Sequence, residues 1–123
     1  MYNDTIMEHF HNPRNVGELD DADAVGQAGN AATGDVMRIY LKVTDGRITA
    51  CRHKTFGNAV AIAVSSMASL MIEGKTLAEA EEISKEDVSD ALDGIPPDKM
   101  SCSNMAPDAI KAAIEDYRSK YGT

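Results

Sequence analysis

The sequence predicts an α+β fold: a small antiparallel sheet of about three strands with helices packed on one face. Three observations carry that expectation. Met37, Ile39, Leu41 and Val43 alternate with Arg38, Tyr40, Lys42 and Thr44, the period of a half-buried strand. Asp45-Gly46 follows as a two-residue hairpin signal. Both positions tolerate the positive φ of a type I′ turn, and strands joined by so tight a turn pair antiparallel. Ala59 to Glu73 is then almost wholly apolar or small, the pattern of a helix buried on all sides at the centre of a core. An antiparallel sheet with helices on one face buries these surfaces together.

The remaining elements follow in order. Thr5 is expected to cap a short helix through Phe10 or His11, with Glu8 as its capping-box partner. Pro13 ends that helix, because it disfavours a helical residue before it. Gly17 to Ala24 reads as an acidic loop, and the Gly/Ala-rich Val25 to Ala32 as a weak edge strand or plain loop. After the hairpin, Ile48, Ala50 and Phe56 fit a return strand. Its opposite, polar face carries Cys51 and His53 unless another element covers it. Asn58 caps the central helix and Gly74 ends it. Two short helices, Thr76 to Ile83 and Ser84 to Leu92, each open on a capping hydroxyl, and Thr76 with Glu79 has capping-box spacing. Ile95-Pro96-Pro97-Asp98-Lys99 cannot be helix interior. The last helix runs from about Pro107 to Tyr121. Its apolar stripe is Ile110, Ala113, Ile114, Tyr117 and Tyr121, with Lys111, Glu115, Asp116 and Arg118 toward water.

Composition narrows the function. At 123 residues the chain fits one domain, residues 1–123. With 5% aromatic residues and no Trp, aliphatic residues, Ala and the seven Met must fill the core. Twenty acidic residues against 12 basic ones give a net charge of −8, a field that repels phosphate backbones, so no nucleic-acid partner is expected. No apolar run is long enough to span a membrane, and Met1 to His11 carries no secretory core, so the expected location is cytoplasmic. Two cysteines, Cys51 and Cys102, make no disulfide framework, and neither CxxC nor HExxH spacing occurs. No nucleophile is visibly paired with a base, so the chain is expected not to be an enzyme.

The candidate chemistry sits at three turns: Thr33-Gly34-Asp35, Gly57-Asn58 and Ser101-Cys102-Ser103. Their plain readings are a turn aspartate, a helix cap, and a small buried thiol with capping serines. Along nearly the whole chain, however, ordered stretches occur together. These are His11-Asn12-Pro13-Arg14-Asn15-Val16-Gly17, Gly34-Asp35-Val36-Met37, Lys54-Thr55-Phe56-Gly57, Ala61-Ile62-Ala63 with Ser65-Ser66, and Gly74-Lys75-Thr76-Leu77. Pro96-Pro97 with Lys99, Cys102-Ser103, Asp108-Ala109-Ile110-Lys111-Ala112-Ala113-Ile114 and Asp116-Tyr117 complete the series. In these the chain resembles the NifU/IscU-type scaffolds of iron–sulfur cluster assembly, which build clusters and pass them to apo-proteins.

The resemblance implies thiolates at the three turns, assisted by an aspartate and a histidine. Position by position, the first cysteine is Thr33 here, the aspartate is kept as Asp35, the second cysteine is Asn58, the histidine is Ser101, and the last cysteine is kept as Cys102. Asp35 and Cys102 are therefore the implied metal ligands. Neutral Thr, Asn and Ser oxygens are poor donors to an iron–sulfide core. A stable 2Fe–2S cluster, or a Zn or Fe ion, is not expected on the monomer.

The resemblance also implies that Cys102 accepts sulfur as a persulfide from a cysteine desulfurase. A place just before the last helix is expected to lower its pKa, and Lys99 to help by charge. Cys51 and His53, two residues apart on one strand face, are auxiliary metal candidates. Ile95 to Lys99 resembles the Leu-Pro-Pro-Val-Lys peptide that specialised chaperones recognise. An acidic Asp98 in place of Val is costly in an apolar pocket, so chaperone recognition is not expected. The expected function is a ligand-depleted scaffold-family protein in sulfur or cluster trafficking or partner docking. The alternative is a non-enzymatic interaction module that binds no metal.

Overall fold

The computed structural model describes residues 2–30, 32 and 34–122. The chain runs α1 (Asp4–His11), β1 (Ala24–Asn30), β2 (Asp35–Thr44), β3 (Arg47–Phe56), α2 (Ala59–Ile72), α3 (Leu77–Glu81), α4 (Lys85–Ala91), a 3₁₀ segment (Pro97–Asn104) and α5 (Met105–Tyr121). The strands form an antiparallel meander in the order β1-β2-β3. α5 packs along β1 and β2, α2 on β3, and α1 on α2. The opposite face of the sheet leaves Val25, Gln27, Arg38, Lys54 and Phe56 exposed. This is the α+β layering that the sequence predicts.

The hairpin turn forms as expected, with φ of 53° at Asp45 and 76° at Gly46. The return strand does not keep the expected faces. Phe56 is 73% exposed, whereas Cys51 and His53 are buried. The reason is a bulge. Val43 pairs with Ile48 but Lys42 pairs with Ala50, which leaves Thr49 as an extra residue on β3. One inserted residue turns every later side chain to the other side of the sheet. α2 then covers Cys51, whose thiol donates to the Ser69 carbonyl at 3.2 Å.

Several ends also shift. Asn3, not Thr5, caps α1: its Oδ1 accepts from the Ile6 amide at 2.8 Å. The Asn3 amide donates to the carbonyls of Leu92 (2.9 Å) and Gly94 (3.0 Å), while the Thr5 hydroxyl bonds Asp93. These contacts fasten the start of the chain to the end of α4. α3 and α4 open on full capping boxes, Thr76 with Glu79 and Ser84 with Asp87. α5 begins at Met105, before the expected Pro107, because the 3₁₀ segment runs straight into it. Asp98 and Lys99 thus lie in a helical turn, with Pro97 at its first position, where a missing N–H does no harm. Tyr121 is 55% exposed, resting on Tyr117 with ring centroids 4.7 Å apart. Asp116, expected in water, accepts the Val25 amide at 2.9 Å and so covers the free edge of β1.

An N-terminal strap, Arg14 to Gly17, covers the middle of the other edge. The His53 amide donates to the Asn15 carbonyl at 2.7 Å, and the Gly17 amide to the His53 carbonyl at 2.9 Å. The His53 ring adds an Nε2–H bond to the Arg14 carbonyl at 2.8 Å. His9, 6% exposed, meets the Ser66 hydroxyl at 2.7 Å, and that same oxygen accepts the Arg14 amide at 2.8 Å.

Burial lowers the pKa of both His9 and His53, with Arg14 adding to the effect at His9. The unfolded chain takes up protons near the ordinary value of 6.5 while the folded chain resists. Stability is therefore full above that pH and declines as pH falls below it toward the folded values. Urea titrations across this range are expected to show the loss, and His9→Gln with His53→Gln is expected to flatten it. A second prediction concerns Gly26. A Cβ there would lie 2.3 Å from the Ala113 amide nitrogen and 2.4 Å from the Ala109 carbonyl oxygen of α5. Gly26→Ala is expected to destabilise by about 1–3 kcal/mol in denaturant unfolding, because the helix backbone must retreat.

Candidate functional site

The start of β2, the start of α2 and the 3₁₀ segment converge on the Asp35 carboxylate, which is 3% exposed. Gly57 makes the space for it: a Cβ there would lie 2.3 Å from Asp35 Oδ1. The backbone N–H of Asn58 donates to that oxygen at 3.3 Å. The thiol of Cys102 donates to Oδ2 at 3.4 Å. The side-chain amide of Asn58 donates in turn to Cys102 Sγ at 3.6 Å, closing a ring of three residues. The carbonyl end of the same amide accepts the Ala61 N–H at 3.0 Å, which is the N-cap of α2.

Asp35, Asn58 and Cys102 are thus brought together. Thr33 lies outside the described residues. Ser101 is exposed on the 3₁₀ segment, whereas Cys102 beside it is fully buried. That burial overturns the expected lowered pKa. Loss of water is the main influence and raises the thiol, and the Asp35 carboxylate adds to it. The Asn58 amide and the Lys99 ammonium oppose them without prevailing. At rest Cys102 is a protonated thiol bonded to Asp35.

Cys51 and His53 belong to a different place. The Cys51 thiol is pushed up to about 12, first by burial and then by the charge of Glu73. The Thr55 hydroxyl stands 3.1 Å from His53 Nδ1, and Nε2 is spent on Arg14. Both side chains serve the packing of β3 against α2 and the strap.

The donor set decides what the pocket can hold. An iron–sulfide core needs several soft anionic ligands. The converging residues offer one carboxylate, one thiol and one neutral amide. No three His, Cys, Asp or Glu side chains among the described residues are grouped to hold a metal. These residues do not fit an intact cluster within one subunit.

The geometry shares its frame with known proteins. The family model of the NifU-like N-terminal domain matches residues 1–123. The chain belongs to that family. Among curated relatives, the iron–sulfur cluster assembly scaffold protein IscU 1 of Archaeoglobus fulgidus is 53% identical over 122 residues, covering 99% of this chain and 80% of the relative. The scaffold protein IscU of Escherichia coli (strain K12) is 46% identical over 123 residues, covering 97% and 95%. A NifU-like protein (N-terminal) from Brucella abortus has the same fold, with a TM-score of 0.77 at 22% identity, covering 96% of this chain and 94% of that one.

In this NifU-like frame two residues do more than the sequence reading gave them. Gly57 is the hollow that admits the Asp35 carboxylate, and its signal was a glycine directly before a helix cap. Asn58 caps α2 with one end of its amide and touches Cys102 with the other, which no spacing rule reveals.

Gly57→Ala is expected to expel the Asp35 carboxylate and break its bonds to Asn58 and Cys102, at about 1–3 kcal/mol in denaturant unfolding. Asp35→Ala combined with Gly57→Ala is expected to be less damaging than the sum of the single changes, because the clash is then relieved. Additive losses would show that the two residues do not share the hollow.

Proposed function

We propose that this NifU-like chain serves iron–sulfur cluster assembly as a sulfur carrier, with Cys102 as acceptor and with no intact cluster held by a single subunit. The observation that carries the reading is the Cys102 to Asp35 hydrogen bond in a pocket otherwise poor in cluster ligands. Curated scaffold relatives at 53% and 46% identity support its place in that pathway.

The chemistry is a redox-neutral exchange. Asp35 Oδ2 already accepts the Cys102 proton in a hydrogen bond and is placed to take it. The resulting thiolate attacks the outer sulfur of an incoming persulfide. The sulfur–sulfur bond of the donor breaks, its thiolate leaves with the proton from Asp35, and Cys102 keeps the sulfur as its own persulfide. A cysteine desulfurase is the donor in this reading, and an apo-protein acceptor takes the sulfur onward. One sulfur per thiol makes the chain a carrier and not a catalyst.

The docking side of the reading rests on the open sheet face. Glu18, Gln27, Val36, Arg38, Tyr40, Lys54 and Phe56 line a hollow of about 280 Å³ there. Val36 follows Asp35 and Phe56 precedes Gly57, so the hollow reaches the same end of the sheet as the pocket, on the opposite face. The aromatic and aliphatic groups supply contact area, and Arg38 stands there beside the ion pair of Lys54 with Glu18.

Anaerobic incubation with a cysteine desulfurase and cysteine is expected to add one sulfur to the peptide bearing Cys102, and none in Cys102→Ala. Iron added to the same mixture is expected to leave the monomer colourless. Visible charge-transfer bands from a cluster on one subunit would defeat the carrier reading. A second experiment restores the missing donors. Thr33→Cys, Asn58→Cys and Ser101→His together are expected to confer a coloured cluster. A folded triple variant that stays colourless would show that the backbone no longer frames the family's site.

A further inference from the structure

Asn58 occupies a position where the resemblance calls for a cluster thiolate, yet it points at the remaining thiol. Its amide cannot turn freely. Oδ1 is held by the Ala61 N–H at 3.0 Å at the first turn of α2, so Nδ2 faces Cys102 Sγ at 3.6 Å. The Asn58 backbone N–H meanwhile bonds Asp35 Oδ1 at 3.3 Å, which keeps the carboxylate against the thiol. One residue therefore fixes the proton acceptor with its backbone and the sulfur with its side chain. An anionic sulfur in a site with no exposure needs a donor aimed at it before its charge forms.

We propose that Asn58 is a positioning residue for sulfur acceptance, its cap-locked amide holding the anionic sulfur of Cys102 as it attacks the persulfide of the donor. The role rests on the carrier reading above. It gives the replacement of a cluster ligand a chemical consequence: the site exchanges a second thiolate for a neutral N–H donor. Such a donor stabilises one sulfur anion and cannot bind iron.

Two substitutions separate this role from helix capping. Asn58→Asp and Asn58→Ser both supply an oxygen that can cap α2. Neither places an N–H donor on Sγ, and Asp puts a second negative charge there. The measurements are the initial rate of sulfur loading from glutathione persulfide and the alkylation rate of Cys102 by iodoacetamide, each read on the Cys102 peptide by mass. Thermal unfolding monitors the cap.

Both variants are expected to unfold near the wild-type temperature and to react about tenfold more slowly at Cys102 with either reagent. That is the scale of one hydrogen bond to a charged sulfur. Asn58→Asp is expected to be the slower of the two. Wild-type rates in both folded variants would overturn the role of Asn58. Slowed alkylation in the variants, with no sulfur taken up by any form including wild type, would support the contact while defeating the carrier reading. If Asn58→Asp fails to fold, Asn58→Ser alone decides by the same rates.

Discussion

The Asp35 carboxylate is buried among segments that lie far apart along the chain, and most of the site follows from satisfying it. A carboxylate taken out of water is costly unless hydrogen bonds replace the lost hydration. Here the backbone N–H of Asn58, 23 residues on, and the thiol of Cys102, 67 residues on, supply two of them. The same bonds hold the start of β2 against the cap of α2 and against the 3₁₀ segment. Structure and chemistry are thus the same contacts: what keeps three turns together also puts a proton acceptor beside a sulfur. Removing any one partner takes a hydrogen bond from a buried polar group, which costs more there than at the surface.

Two demands meet at Asn58 and are compatible because an amide has two different ends. The carbonyl end serves the helix, as Asn side chains commonly do at that position. The nitrogen end serves the sulfur. A thiol in the same place could ligate iron but would cap the helix weakly. The pocket so formed holds one carboxylate, one thiol and one neutral amide, while the frame around it is that of the NifU-like family.

Much of the frame was legible in the residues. The alternation of β2, the Asp45-Gly46 turn, the small-residue helix after Asn58 and the capping hydroxyls of Thr76 and Ser84 are local signals, and local geometry obeys them. What failed depended on partners distant in sequence. The bulge at Thr49 arises from how β3 meets β2, so alternation alone misplaced Cys51, His53 and Phe56. Asn3 outcompeted Thr5 as a cap because its amide also reaches the end of α4. The pKa of Cys102 was misjudged for a similar reason: a place just before α5 suggested a favourable dipole, while packing removed water and set a carboxylate next to it. The meeting of the three turns was anticipated from the family resemblance; composition and spacing did not disclose it.

The 3₁₀ segment gives the thiol a mechanical property of its own. Eight residues is long for this conformation, whose hydrogen bonds are poorer than those of an α-helix. It joins α5 without a break, so the two can exchange pitch at their junction. A 3₁₀ turn advances each residue about 20° further and 0.5 Å higher than an α turn. Cys102 lies just ahead of Met105, where α5 begins. Rewinding the intervening residues to α pitch would swing the sulfur roughly 60° about the common axis and draw it about 1.5 Å along it. A rotation of that size would break the bonds of Cys102 to Asp35 and Asn58, so those two contacts set the pitch at which the segment is wound.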